Sequence, residues 1–146
     1  MWKDKKSLWK PIFQHFILEK VYQKSYAALL QEKICKPLKL CYTYFSAETD
    51  VNKHEAMSYN IQNKYIRNSK VNFSNHPASG GIATTALELN RFLSGLFEGR
   101  LISKQSLELM LPENKGEYGM GIKKANFKNP IGYIHGGRIE NYFSDY

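Results

Sequence analysis

The chain has 146 residues, a length that fits one domain with a core of modest size. Apolar residues make up 42% of it and aromatic residues 14%, which excludes an intrinsically disordered protein. The formal charge of +8 favours anionic partners, but the lysines are scattered and no DNA- or RNA-binding motif accompanies them, so nucleic acid is not an expected partner.

Membrane, export and metal signals are absent from the sequence pattern. No stretch of about eighteen apolar residues occurs, so no membrane span is predicted. The basic N-terminal segment lacks an uninterrupted apolar run and a small-residue cleavage site, so no signal peptide is predicted. Cys35 and Cys41 have no paired His or Cys cluster nearby, so neither a metal nor a cofactor is expected. The two cysteines are interpreted as small buried side chains or free thiols.

The first third of the chain has helical periodicity. Its apolar spacing predicts two helices, over residues 11–22 and 26–35, with Ser25 as the N-cap of the second and Pro37 as its end. Residues 38–75 sustain no period and are predicted to be loop with short strands.

Helical order returns after Pro77. Thr85 and Glu88 have the spacing of a capping box, and Gly99 marks the end of the helix that follows. The apolar face of this helix is formed by Leu89, Phe92, Leu93 and Leu96. Ser103 is predicted to cap a second, shorter helix that ends before residue 112.

The remainder is strand-like, over residues 117–124, 130–136 and 138–146. Helices followed by consecutive strands predict an α+β domain with an antiparallel sheet. His135, Gly136 and Gly137 lie where one strand-like run ends and the next begins. The simplest interpretation of this tripeptide is a hairpin turn that follows a histidine, because Gly-Gly is a common turn dipeptide.

Several segments, in order, resemble the serine β-lactamase and D-alanyl-D-alanine carboxypeptidase family. Glu19-Lys20, Lys24-Ser25-Tyr26 and Pro37-Leu38 are similar to pieces that follow the family's tyrosine motif. "ASGGIATTALEL" is similar to its Gly-Gly-x-x-Ser-Thr-x-x-Asp-Leu helix, and "YGMGI" followed by "IGYIHGG" resembles the sheet that ends in its Lys/His-x-Gly motif. The resemblance implies a β-lactamase/DD-peptidase-like fold with helices packed on an antiparallel sheet.

The resemblance also implies roles in one wall of an active site. His135 would be the basic residue that helps hold a substrate carboxylate. Gly136 and Gly137 would lie along the substrate, and the absence of a side chain at Gly137 would keep the wall open. The backbone N–H of Arg138 would be an oxyanion-hole donor. Complete relatives act on small-molecule or peptidoglycan-type substrates, outside the cytoplasmic membrane, by acylation of a serine.

Two motifs of the family are not found in their expected context. Ser7 and Lys10 form a literal Ser-x-x-Lys, but in the family that motif lies much farther before the Glu-Lys helix. Lys6-Ser7-Leu8 stands where Tyr-x-Asn is expected, so the nucleophile and the tyrosine are predicted to be missing.

The match is therefore expected to cover part of a domain, with a divergent N-terminal segment at residues 1–12 and a family-like region at residues 13–146. The antiparallel sheet of this partial domain is expected to be incomplete. The expected function is that of a fragment or truncated member of the family, inactive alone. The alternative is a non-catalytic protein whose basic surface binds an anionic partner.

Overall fold

The computed structural model describes residues 6–69, 72–74, 77–112, 118–125 and 132–146, with side chains from Gln14 onward, Pro77 excepted. Residues 1–5 of the predicted N-terminal lead, and the first residues of the predicted strands at 117 and 130, lie outside the described residues. The chain divides into two compact units, Met1–Phe92 and Leu93–Tyr146.

Six α-helices are described, together with a π-helical turn at Gln31–Cys35 and a 3₁₀ turn at Val51–Lys53. The α-helices are α1 (Lys6–Tyr22), α2 (Tyr26–Leu30), α3 (Lys36–Leu38), α4 (Pro77–Gly80), α5 (Ala86–Phe97) and α6 (Lys104–Met110). Among the residues of known placement, no helix is long and apolar enough to cross a membrane.

The described strands form four two-stranded antiparallel sheets, which confirms the α+β prediction. The pairs are β1 (Tyr44–Phe45) with β4 (Ile82–Ala83), β2 (Tyr59–Gln62) with β3 (Lys64–Arg67), β5 (Lys123–Ala125) with β6 (Gly132–Ile134), and β7 (Gly136–Ile139) with β8 (Tyr142–Asp145).

The predicted helix-terminal roles of Ser25, Ser103 and Gly99 are confirmed. The side-chain oxygens of Ser25 and Ser103 accept from the N–H groups of Ala28 and Ser106, at 3.3 and 3.1 Å. Gly99 follows α5 with a φ of +75°, the left-handed conformation in which glycine is favoured.

Pro37 does not end the second helix, contrary to the prediction. The π-helical turn runs directly into α3, in which Pro37 is the second residue, so helical backbone continues past the proline. The helical segment ends instead at Lys39, whose φ is +54°, and the N–H of Leu40 donates to the Cys35 carbonyl at 2.9 Å.

Each unit has its own small apolar core. In the first unit the buried apolar side chains are those of Leu29, Leu30, Cys35, Leu38, Leu40 and Phe73. In the second they are Leu96, Leu107, Ile122 and Ala125. There the ring of Phe97 on α5 stacks on Tyr133 of β6 at 5.6 Å, so helix packs on sheet as predicted.

Candidate active-site wall around His135

His135 links β6 to β7, and its backbone continues the pairing of β8 by one residue. Its N–H donates to the Tyr146 carbonyl at 3.1 Å, and the Tyr146 N–H donates back to the His135 carbonyl at 3.2 Å. Gly136 and Gly137 therefore lie inside a strand, opposite Asp145 and Ser144. The simple interpretation of His-Gly-Gly as a hairpin turn is wrong.

The turn lies farther along, at Glu140 and Asn141, which divides the predicted strand 138–146 in two. Both residues have positive φ, 44° and 63°, as a two-residue type I′ hairpin turn requires. Asn tolerates this conformation, whereas Glu gives no such signal, and this explains why the sequence pattern did not place the turn here.

The alternation of antiparallel pairing fixes the direction of the Arg138 N–H. His135 and Tyr146 form a reciprocally hydrogen-bonded pair. Successive pairs alternate between bonded and non-bonded types, so Arg138, three residues on and opposite Phe143, belongs to a non-bonded pair. Its N–H and C=O, with those of Gly136, point away from β8, towards the opposite edge of β7.

That opposite edge carries no strand partner among the described residues. The pairing of β5 ends at Ile134, and β7 is paired with β8 alone. Within the described parts of the chain, the N–H of Arg138 is thus a donor on an open strand edge, one residue past Gly137. A ligand backbone or an anionic oxygen can approach such an edge.

The side chains of the four residues divide between the two faces of the sheet, because successive strand residues alternate. His135 and Gly137 share one face, and Gly136 and Arg138 share the other. The Arg138 guanidinium lies over the ring of Phe143, with 4.9 Å between Cζ and the ring centroid. Its side chain therefore packs on β8, while its backbone donor faces the other way.

Asp145 and Ser144 lie close to the two glycines. A Cβ atom added at Gly136 would collide with the Asp145 carboxylate, and one at Gly137 would lie 3.1 Å from the Ser144 Oγ. The far end of a flexible side chain can move, so these contacts do not by themselves require glycine. Both glycines are solvent-exposed, and only the ends of the Asp145 and Ser144 side chains lie over them.

Two tyrosines flank the half-buried imidazole of His135. The Tyr146 ring stacks on it at 5.9 Å and the Tyr118 ring lies tilted at 6.5 Å, both between centroids. Burial, and then the electrostatic influence of Tyr118, raise the pKa of the Tyr146 phenol. Two aromatic rings therefore lie beside the imidazole, within 6.5 Å of it.

In the first unit, Glu88 forms a buried polar cluster. Its carboxylate accepts from the N–H of Cys41 at 2.7 Å, from the N–H of Tyr42 at 2.9 Å and from the Thr43 hydroxyl at 2.6 Å. Since the Thr43 proton goes to the carboxylate, the Thr84 hydroxyl, 2.7 Å away, donates to Thr43.

The predicted capping box is only half formed. Thr85 Oγ1 accepts from the Glu88 N–H at 3.2 Å, but the Glu88 carboxylate binds residues 41–43 rather than returning to Thr85. Burial alone would raise the pKa of Glu88, but hydrogen bonds from Thr43, Tyr42 and Cys41 outweigh it, so its pKa is lowered. Glu88 is an ionised structural carboxylate.

An open depression of about 400 Å³ lies beside this cluster. It is lined by Cys41, Tyr42, Thr85, Leu87, Glu88 and Arg91. Glu88 already accepts hydrogen bonds from the chain itself, so the depression offers no free buried acceptor for a ligand.

A second hydrogen-bonded cluster, around the Glu55 carboxylate, was not predicted from the sequence. Glu55 accepts from the Tyr44 hydroxyl at 2.8 Å and from the Asp50 N–H at 2.8 Å, which closes the loop between them. Burial, the hydrogen bond to Glu55 and nearby carboxylate charge raise the pKa of Tyr44 to about 12. A lone Glu in a stretch without periodicity gives no signal of this kind.

Ser7 and Lys10 both fall on α1, in the part without described side chains. The same holds for Lys6-Ser7-Leu8, which stands where Tyr-x-Asn is expected. Among the side chains whose placement is known, no group of three His, Cys, Asp or Glu residues could hold a metal ion.

A family model described as Beta-lactamase matches residues 13–132, most of the chain. The chain belongs to the beta-lactamase family. This confirms the resemblance found in the sequence, and the matched region begins where the family-like segments were predicted to begin.

The relatives of this beta-lactamase-family chain are longer than it is. It is 26% identical, over 133 residues, to a Bacillus subtilis (strain 168) protein that carries the name penicillin-binding protein PbpX, covering 88% of this chain and 34% of that one. The chain thus spans about a third of the length of this relative.

Solved structures agree on the fold. The octameric penicillin-binding protein homologue from Pyrococcus abyssi superposes with a TM-score of 0.68 at 23% identity, over 90% of this chain and 32% of its own. D-amino acid amidase from Ochrobactrum anthropi SV3, complexed with D-phenylalanine, superposes with a TM-score of 0.73 at 20% identity. The match covers 88% of this chain and 43% of the amidase. The chain therefore has part of the fold shared by this penicillin-binding protein homologue and this amidase.

Proposed function

We propose that this chain supplies one wall of a serine acyl-hydrolase site, with His135, Gly136, Gly137 and Arg138 as its residues. The substrates would be D-Ala-D-Ala peptides, β-lactams or related esters and amides. The supporting observation is the direction of the Arg138 N–H, which faces an open strand edge immediately after His-Gly-Gly.

Arg138 would act through its backbone. In acyl transfer, negative charge develops on the carbonyl oxygen of the substrate, and a fixed N–H aimed at that oxygen stabilises the transition state. A comparable donor contributes about 2.7–4 kcal/mol. The strand fixes this N–H before any substrate arrives, so no reorganisation is needed when charge develops.

His135 and the glycines would bind and orient the substrate. An N–H of the His135 imidazole, at the end of the open edge, would donate a hydrogen bond to a substrate carboxylate. Gly136 and Gly137 leave space for the substrate backbone to lie along the strand. The rings of Tyr118 and Tyr146 limit the positions of the imidazole.

The acylation step requires a nucleophilic serine and a base that accepts its proton. Ser7 and Lys10 have the right spacing with each other but the wrong distance from the Glu19-Lys20 pair for the family pattern. We therefore propose that the chain alone is not acylated and that the nucleophile belongs to sequence outside these 146 residues.

Intact-mass spectrometry after exposure to a penicillin, and separately to a fluorophosphonate, tests this proposal. We expect the mass to stay unchanged, with Ser7→Ala as the matched control for any partial labelling. A stoichiometric adduct mapped to Ser7, and absent from Ser7→Ala, would show that a complete acylating site exists in the chain and would sink the proposal.

A further inference from the structure

The hairpin formed by β2 and β3 has one apolar face that the described residues leave exposed. Directly opposed residues of an antiparallel pair point to the same face. Tyr59 pairs with Arg67, and Ile61 pairs with Tyr65, so these four side chains share one face, here called the tyrosine face. The side chains of Tyr59, Ile61 and Tyr65 belong to residues that are 48%, 73% and 77% exposed.

The base of this hairpin is fixed to the first unit. Ser58 is buried, its carbonyl accepts from the Asn68 N–H at 3.0 Å, and its hydroxyl oxygen accepts from the Asn68 side-chain amide at 2.9 Å. All eight residues of β2 and β3 beyond this base are exposed. Each four-residue strand spans about 14 Å, so the hairpin presents an extended surface on a fixed base.

The charge of the hairpin has a single sign. Residues 57–69 include Lys64 and Arg67 but no Asp or Glu, in a chain with a formal charge of +8. Arg67 lies on the tyrosine face itself, and Lys64 is next to Tyr65 in the sequence. The surface that complements this face is therefore negatively charged and able to receive large apolar side chains.

The surface of a bilayer that contains anionic lipids has both properties. Tyrosine rings are favoured at the level of the lipid headgroups, because the ring is apolar and the hydroxyl is polar. Lysine and arginine are attracted to the negative potential of anionic lipids. A face of two tyrosines, one isoleucine and one arginine matches this interface in both composition and charge.

We propose that the tyrosine face binds the surface of a bilayer that contains anionic lipids, and that the hairpin lies on the bilayer without crossing it. Ile61 and the two tyrosine rings enter the headgroup region, while the Arg67 guanidinium binds lipid phosphates. This binding surface is separate from the acyl-hydrolase proposal and requires neither His135 nor Arg138.

Co-sedimentation with lipid vesicles tests the proposal. The 146-residue chain is mixed with vesicles of phosphatidylcholine alone or of phosphatidylcholine and phosphatidylglycerol, at about 0.1 M salt. The variants are the double substitution Ile61→Ser/Tyr65→Ser and the single substitution Arg67→Gln. Tyr42→Ser is the matched control, because it removes a tyrosine that is 68% exposed but lies outside the hairpin. Circular dichroism verifies that each variant is folded.

We expect the chain to bind phosphatidylglycerol vesicles on the order of tenfold more tightly than phosphatidylcholine vesicles. The double variant should lose on the order of tenfold in the partition constant, since interfacial binding increases with the apolar area that is buried. Arg67→Gln should lose about fivefold, as expected for one cation near an anionic membrane. Tyr42→Ser should bind as the wild type does.

The double variant retains every charge, so it separates the tyrosine face from general adsorption of a basic chain. Binding of this variant equal to the wild type would overturn the proposal. So would equal binding to the two kinds of vesicle, or no binding to either. A wild-type dimer that Ile61→Ser/Tyr65→Ser converts to a monomer would also overturn it and would identify a second copy of the chain as the partner.

Discussion

At the scale of single residues, the Glu88 carboxylate links distant parts of the first unit. It is 2% exposed and joins α5 to residues 41–43, more than forty positions earlier in the chain. In Glu88→Gln one acceptor oxygen becomes an NH₂ group, which cannot accept the hydrogen bonds that the N–H groups of residues 41 and 42 and the hydroxyl of residue 43 donate. We expect a loss of about 1–3 kcal/mol in the free energy of unfolding, measured by urea denaturation.

Glu108→Gln is the matched control, because Glu108 is exposed on α6 and its replacement should leave the urea midpoint nearly unchanged. Equal midpoints for Glu88→Gln and the wild type would mean that the carboxylate cluster does not stabilise the folded chain.

The lowered pKa of Glu88 predicts a pH dependence with a definite sign. A folded pKa below the usual value of 4.5 means that the unfolded chain binds the proton more readily. The stabilisation is therefore complete above pH 4.5 and is lost as the pH falls through the folded pKa. The difference in unfolding free energy between wild type and Glu88→Gln should shrink in acid.

Urea titrations at neutral pH and at several values below 4.5 measure this difference. Glu32, whose pKa is lowered to about 2 by hydrogen bonds from Lys24 and then Lys33, is present in both proteins and cancels in the comparison. A difference independent of pH would exclude an ionised Glu88 in the folded state.

At the scale of elements, the segment that leads into β5 depends on one close backbone approach. The Gly119 N–H donates to the Ile122 carbonyl at 2.7 Å. A Cβ atom at Gly119 would collide with the Met110 carbonyl oxygen and lie 2.7 Å from the backbone nitrogen of Pro112. Backbone cannot move aside as a side-chain end can.

Gly119→Ala should therefore destabilise the chain by about 1–3 kcal/mol, and more than Gly121→Ala does. Gly121 has a φ of +75° but no atom within 4 Å of an added Cβ, so Gly121→Ala carries only the conformational cost of about 1–2 kcal/mol. Urea denaturation of the two variants measures which loses more unfolding free energy. A larger loss in Gly121→Ala than in Gly119→Ala would contradict this account of the turn.

The elements with strong local signals were predictable, and the contacts between distant elements were not. Ser25, Thr85 and Ser103 indicate where helices begin, because an N-cap is a local hydrogen bond formed within three residues. The bonds from Glu88 to residues 41–43 depend on tertiary folding, and no spacing rule indicates them. The Pro37 prediction failed because the helical segment ends at Lys39, and a lysine gives no sequence signal for the left-handed φ of +54° that ends it.

The candidate wall shows the same division. His135 and Gly137 are proposed from a short motif, and the strand pairing gives the Arg138 N–H its direction. The turn at Glu140 and Asn141 and the position of the Tyr146 ring could not be placed, since they depend on the register of β7 with β8.

At the scale of the whole molecule, we propose that residues 13–146 behave as one partial domain. Denaturation should then show a single transition, coincident by circular dichroism and by hydrogen exchange. Glu88→Gln, in the first unit, and Gly119→Ala, in the second, should both shift that same transition. Two transitions, each moved by only one of the variants, would show that the two units unfold independently.

The contrast between the two cysteines gives the chain an intrinsic chemical probe of its own motions. Cys41 is exposed, whereas Cys35 is 1% exposed, donates its thiol proton to the Thr43 carbonyl at 3.3 Å and has a pKa raised by burial and then by the charge of Glu88. A thiol reagent will modify Cys41 directly but must wait for local opening at Cys35. The ratio of the two labelling rates therefore measures how often the interior of the first unit opens, with no mutation and no attached dye.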